Sequence, residues 1–126
     1  MTARFDGFVP GRHPLDAFGA GGFRFAGMSH RGSILATPSG IRIWPVTRFA
    51  EITPESLRPV LDEAEAIDFL LIGTGADITF IPAALREHLR AAGITVEGMA
   101  TGAAARTYNV LVAEDRRVAA ALIAVD

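Results

Sequence analysis

Apolar positions recur along this chain at two periods, every second residue in some stretches and every third or fourth in others. The switches between them outline the elements. Phe23 and Phe25 alternate with Arg24 and Ala26, as a half-buried strand requires. Two short apolar runs follow, Ser33–Thr37 and Ile41–Trp44. The Pro38-Ser39-Gly40 link between them predicts a hairpin with a loop longer than two residues. Leu57, Val60, Leu61 and Ala64 then stand at i, i+3, i+4 and i+7, one face of a helix. Thr53 suits its N-cap, Pro54 its first position, and Glu55 complements the positive helix end. Pro59 falls inside this span and predicts a loosened or kinked first turn.

Ile67–Ile72, IDFLLI, is an apolar run that reaches Gly73-Thr74-Gly75 and reads as a buried strand. Pro82 opens a second helix with a stripe of Leu85, Leu89 and Ala92, closed by Gly93. Ile94–Glu97 is a short strand. Thr101 is expected to cap a third helix whose core stripe is Ala104, Ala105, Tyr108, Leu111 and Val112. Val118–Val125 is almost wholly apolar, which places it centrally in a sheet with both faces covered. Residues 1–21 carry Pro10, Pro14 and glycines at 7, 11, 19 and 21 with no sustained period. They are expected to form a loosely ordered N-terminal arm anchored by Phe5, Phe8 and Phe18, leaving 22–126 as a single α/β domain.

Strand hairpin, helix, strand, helix, strand, helix, strand is an order that implies a sheet with helices on its faces. The helix between Ile72 and Ile94 favours a parallel crossover there. The link Ala113-Glu114-Asp115-Arg116 is short and leaves the direction of the last strand open. A length of 126 residues fits one domain able to bury about two thirds of its unfolded surface. Net charge is −2, and all twelve strongly basic residues are arginine without a basic patch, so nucleic acid is not an expected partner. Without cysteine, disulfides, thiolate metal sites and a cysteine nucleophile are excluded together. No apolar run approaches the roughly 20 residues that cross a bilayer, and none near the start has signal-peptide character. A cytoplasmic protein without direct membrane insertion is expected.

Two strand-to-helix loops, Gly73-Thr74-Gly75 and Met99-Ala100-Thr101, should leave adjacent strands at one sheet edge, the edge where open α/β sheets bind ligands. Helix N-termini there suit an anion. Gly-Thr-Gly lacks the spacing of a dinucleotide fingerprint and no phosphate-loop lysine follows, so a tight backbone turn is the stronger reading and a ligand crevice the weaker. Thr107 and Asn109 lie at the borders of the third helix's stripe, where a polar side chain either bonds a neighbouring backbone group or lines that crevice. Arg106 points away and reads as solvated, as do Asp62, Glu63 and Glu65. Histidines 13, 30 and 88 are scattered and show no metal-like spacing. Trp44-Pro45 either packs at a strand end, the stronger reading, or presents an apolar spot to a partner. No catalytic residue, cofactor or metal site is predicted.

Thr101-x-x-Ala104-x-x-Thr107-Tyr108-Asn109-x-Leu111, then Glu114-x-Arg116 and an alanine-rich strand, resembles the family of the mitochondrial complex I assembly factor 3. Ser29-His30-x-Gly32-Ser33 with Ile41–Trp44, and Ile72-Gly73-Thr74-Gly75 before Pro82, are similar to it too. Ala100 departs from the pattern, standing where an acidic residue is common, and no cysteine lies beside Ala105. The resemblance implies a three-layer α/β/α fold around a central mixed sheet, its last strand inserted antiparallel, with an N-terminal β-hairpin element. It implies no established enzymatic activity, cofactor or metal. The expected function is a non-enzymatic accessory protein that assists assembly of a respiratory or other membrane complex. Its expected partners are respiratory-complex or export-machinery subunits at the inner membrane periphery, since bacterial relatives are often encoded near export genes. A small-molecule-binding domain or enzyme using the Gly73–Gly75 and Thr101 crevice is the alternative, and a homo-oligomer through Trp44 a third.

Overall fold

A computed structural model describes residues 5–126. Its strands are β1 (Phe8–Pro10), β2 (Leu15–Gly19), β3 (Gly22–Phe25), β4 (Met28–Arg31), β5 (Ile34–Thr37), β6 (Gly40–Ile43), β7 (Phe69–Gly73), β8 (Thr95–Met99) and β9 (Val118–Leu122). Its helices are α1 (Arg58–Asp62), α2 (Ala83–Ala91) and α3 (Thr101–Ala113). Six strands make a mixed sheet in the order β1-β6-β5-β9-β7-β8, and β2-β3-β4 form a separate antiparallel sheet.

The last strand is inserted between earlier ones, as expected. It runs antiparallel to β5 and parallel to β7, so the antiparallel direction applies on one side only. β7 and β8 are parallel across the α2 crossover. Burial of β9 on both faces follows the strand period. Ala119 and Ala121 join the cluster under α1 and α2, with Leu57, Val60, Leu85 and Leu89. Val118, Ala120 and Leu122 join the cluster under α3, with Ala104, Ala105 and Tyr108. These are the three layers. Each fully buried Leu, Ile or Val contributes about 1.5–3 kcal/mol relative to exposure.

Two expectations change because of backbone pairing that local periodicity does not carry. Residues 8–19 are not a loose arm: β1 pairs β6 at the sheet edge and β2 pairs β3. Asn109 on α3 grips β2 by accepting from the Leu15 N–H at 2.7 Å and donating to the Leu15 carbonyl at 2.8 Å. The hairpin between β5 and β6 closes with Thr37 opposite Gly40, a two-residue turn of Pro38-Ser39. Glu63 fixes that turn, accepting from the Thr37 hydroxyl at 2.6 Å and from the Ser39 N–H at 2.9 Å and hydroxyl at 2.7 Å. It is a clamp between α1 and the hairpin rather than a solvated residue. Thr53 stands one residue before the helical span rather than at its cap, a position held by Pro54 without a side-chain bond; its hydroxyl accepts from the Ser56 N–H at 3.1 Å while its own N–H donates to the Ser56 hydroxyl. Pro59 has no N–H, and the helical span is cut into a 3-10 turn, a five-residue α1 and another 3-10 turn.

Candidate functional site

The sheet edge expected to carry a site is where β7, β8 and β9 end, and its polar groups are turned on one another. The Thr74 N–H donates to the Met99 carbonyl, and the Thr101 N–H to the Gly75 carbonyl, each at 2.8 Å. The Thr101 hydroxyl donates to the Ile123 carbonyl at 2.7 Å and accepts from the Gly75 N–H at 3.1 Å. Thr101 is the first residue of α3 rather than its cap; Ala100 holds the N-cap position and makes no side-chain bond to the helix end. Its hydroxyl is buried in a tertiary link, which is why it is not free to cap. Thr74 has a comparable role: its hydroxyl lies 2.7 Å from the Asp77 carbonyl and accepts from the Thr79 N–H at 3.1 Å. Gly73 is required by close approach, since a Cβ there would sit 2.9 Å from Leu122 Cδ2 and 3.0 Å from Thr101 Cα. α3 can therefore lie directly on β7.

Outside this laced edge runs an open groove of about 710 Å³. Thr74 and Gly75 line it, with Gly102 and Ala103 from the first turn of α3, Phe18 from β2, and Arg48 and Arg106. Arg48 lies 3.7 Å from Glu51, whose carboxyl is held below its usual range chiefly by the hydrogen bond from the Thr47 N–H. Arg106 is exposed, as expected, and its guanidinium lies over the Phe18 ring at 5.3 Å from the centroid. Asp126 lines the groove too, so it presents the guanidinium donors of Arg48 and Arg106 beside a carboxylate acceptor. Among the described residues, no three His, Asp or Glu side chains converge as a metal site would require. Tyr108, packed in the core one helix turn further on, has its hydroxyl pushed up to about 12 by burial.

Of the residues the sequence singled out, Thr74 and Gly75 reach the groove, Gly73 and the Thr101 hydroxyl serve the lacing behind it, and Asn109 holds β2. Thr107 is half-buried on α3 and does not line the groove. Trp44 offers no surface: it is 2 % exposed, and its indole N–H donates to the Ser56 carbonyl at 2.8 Å. Burial against the α1 side of the sheet overrides the partner reading for this residue. The exposed apolar side chains are elsewhere, with Phe80 at 90 % and Ile78 at 62 % exposure on the loop between β7 and α2. Phe18, Arg48 and Arg106 were missed as groove residues because three separate segments bring them together.

The arrangement is a small α/β/α protein with a mixed sheet, a laced strand edge and a groove outside it that carries two arginines and an aspartate. The chain belongs to the family described as a protein of unknown function (DUF498/DUF598), whose model matches residues 15–123. An uncharacterised protein of Rhodobacter capsulatus is 43 % identical, covering 98 % of this chain and 93 % of that one. The zebrafish (Danio rerio) NADH dehydrogenase [ubiquinone] 1 alpha subcomplex assembly factor 3 is 36 % identical over 81 % of this chain, which spans 59 % of the relative's length. A solved structure from Bartonella henselae, described as an outer membrane protein, superposes with a TM-score of 0.89 at 53 % identity, covering 93 % of this chain and 98 % of that one. No described helix here is long and apolar enough to cross a membrane.

Proposed function

We propose that this protein is a non-enzymatic accessory factor in the assembly of a membrane-bound NADH dehydrogenase, acting through protein contacts at the membrane periphery. The observation that carries the reading is the 36 % identity to a complex I assembly factor across most of this chain. Commitment of the Thr74 and Thr101 hydroxyls to backbone carbonyls agrees with it, because the strand edge is built as a rigid scaffold. The test is deletion of the gene in its host, followed by native electrophoresis of gently solubilised membranes with an in-gel NADH dehydrogenase stain. Loss of the assembled complex with accumulation of subassemblies, restored by complementation, is the expected result. Normal amounts of complex in the deletion strain would refute it.

A second reading is favoured by the groove itself, where Arg48 joins Arg106 and the first turn of α3 in the lining, with Asp126 beside them. It is a site for a small carboxylate or phosphate ligand. A thermal-shift screen of such anions against wild type and Arg106→Ala tests it. A ligand at about 100 times its dissociation constant adds about 2.7 kcal/mol to the wild type alone. An anion set that shifts neither protein removes the reading.

A further inference from the structure

Phe80 is 90 % exposed, and Ile78, on the same loop, is 62 % exposed. Large apolar groups displayed this fully on a short loop mark a contact surface more often than a scattered single residue does. The loop is not a loose excursion. Thr74 takes the Thr79 N–H and lies within bonding distance of the Asp77 carbonyl, while Ile81 is buried against β8 with side-chain atoms 3.0 Å from where a Gly98 Cβ would stand. Phe80 thus projects between two anchored points.

Two residues further along, Pro82 forms one wall of an apolar pocket of about 380 Å³. Ala84, Leu85 and His88 of α2 complete that side, and Phe49, Ile52 and Pro54 face them. A cavity of about 150 Å³ is enough to hold benzene, so a phenylalanine ring fits here with room to spare. His88 is the one titratable residue among the lining side chains, so filling the pocket buries no fixed carboxylate or guanidinium. The chain carries a benzyl knob and a pocket of matching chemistry side by side, the self-complementarity a two-fold interface requires.

We infer that a second copy of this chain occupies the pocket: Phe80 of each protomer enters the Pro82–Leu85–Phe49 pocket of the other, making a reversible two-fold dimer. This does not depend on the assembly role. Each aromatic buries about 150–250 Å², so two knobs with their rims stay under the about 1,600 Å² of a standard interface. Interfaces of that size belong to the weak, transient class, so association is to be followed from about 1 μM to about 1 mM protein.

Sedimentation equilibrium across that concentration range tests it with the whole chain. Wild type should shift from one copy to two. Phe80→Ala removes the knob, and Ala84→Glu places a carboxylate at the pocket mouth in the first turn of α2, where it suits the helix end. Each variant alone should lose at least tenfold in association, with an unchanged circular dichroism spectrum. Mixed together they should regain part of it, because the intact Phe80 of the Ala84→Glu protein can enter the open pocket of the Phe80→Ala protein. A misfolded variant would not be rescued in this way. Wild type that stays monomeric to 1 mM, Phe80→Ala that dimerises as wild type does, or a mixture no better than its components would each overturn the inference.

Discussion

Thr101→Val tests whether the strand edge is held by hydrogen bonds or only by packing. Thr101 is fully buried, and valine keeps its shape while replacing the hydroxyl by a methyl. Two bonds vanish together, the donation to Ile123 at 2.7 Å and the acceptance from Gly75 at 3.1 Å. Each is worth about 1 kcal/mol net, and a buried carbonyl left unpaired costs about 1–3 kcal/mol. Ile123 is 3 % exposed, so its carbonyl has little access to water, whereas half-buried Gly75 can turn its N–H outward. The sum is about 2–3 kcal/mol. At roughly 4 °C per kcal/mol for a chain of this size, Tm should fall by about 8–12 °C. Thr101→Ser is the control: it keeps the hydroxyl and loses one methyl, at a cost of about 1 kcal/mol. Urea unfolding followed by the fluorescence of Trp44, the sole tryptophan and a buried one, measures all three proteins. The expected order of stability is wild type, then Thr101→Ser, then Thr101→Val. A Thr101→Val protein as stable as Thr101→Ser would refute the argument and assign the edge to packing.

Glu63→Ala removes the acceptor for three donors at the Pro38-Ser39 turn. It should cost about 1–2 kcal/mol, since the exposed Ser39 groups can return to water; denaturant midpoints read it. Asn109→Ala releases both backbone groups of Leu15 and should cost about 1–3 kcal/mol, with cleavage by a nonspecific protease appearing first within residues 8–19. The alkaline limb of stability should report Tyr108, because the chain has one tyrosine and neither lysine nor cysteine to titrate beside it. The unfolded phenol ionises near 10 and the folded one is raised to about 12. Its contribution is therefore complete below pH 10 and lost as pH rises toward 12, a fall of about 2–3 kcal/mol that Tyr108→Phe should abolish in pH-dependent urea melts.

Legibility from sequence followed the range of each interaction. The stripe Ala104, Ala105, Tyr108 was readable because a 13-residue helix repeats its buried face several times. β9 was readable because burial on both faces leaves an unbroken apolar run. β1 and β2 were not, since three and five residues, half-exposed and set among glycines, show no period of their own. They exist because distant partners satisfy their backbone groups. The same holds at the site. Gly73-Thr74-Gly75 was recognised as a sheet-edge turn, but the use of Thr101 as a link to Ile123 depends on strand order, which spacing does not encode. Glu63 looked solvated by its helical position, and only the hairpin folding over it supplied the three donors.

Asp77-Ile78-Thr79-Phe80 alternates polar and apolar residues as a half-buried strand does, yet both apolar side chains face solvent. The conflict resolves if the segment is made for an intermolecular contact. Were it merely disordered, projecting Phe80 would require fixing several backbone residues on binding, at about 1–2 kcal/mol each. The Thr74 hydroxyl, the Asp77 carbonyl, the Thr79 N–H and the buried Ile81 have already fixed them. Lacing of the strand ends and display of the loop are thus one device, because Thr74 belongs to both. A Thr74→Val protein should then associate more weakly than wild type even though Phe80 and its pocket are untouched, and sedimentation at matched concentration would show it. Equal association by the two proteins would separate the loop from the edge that carries it.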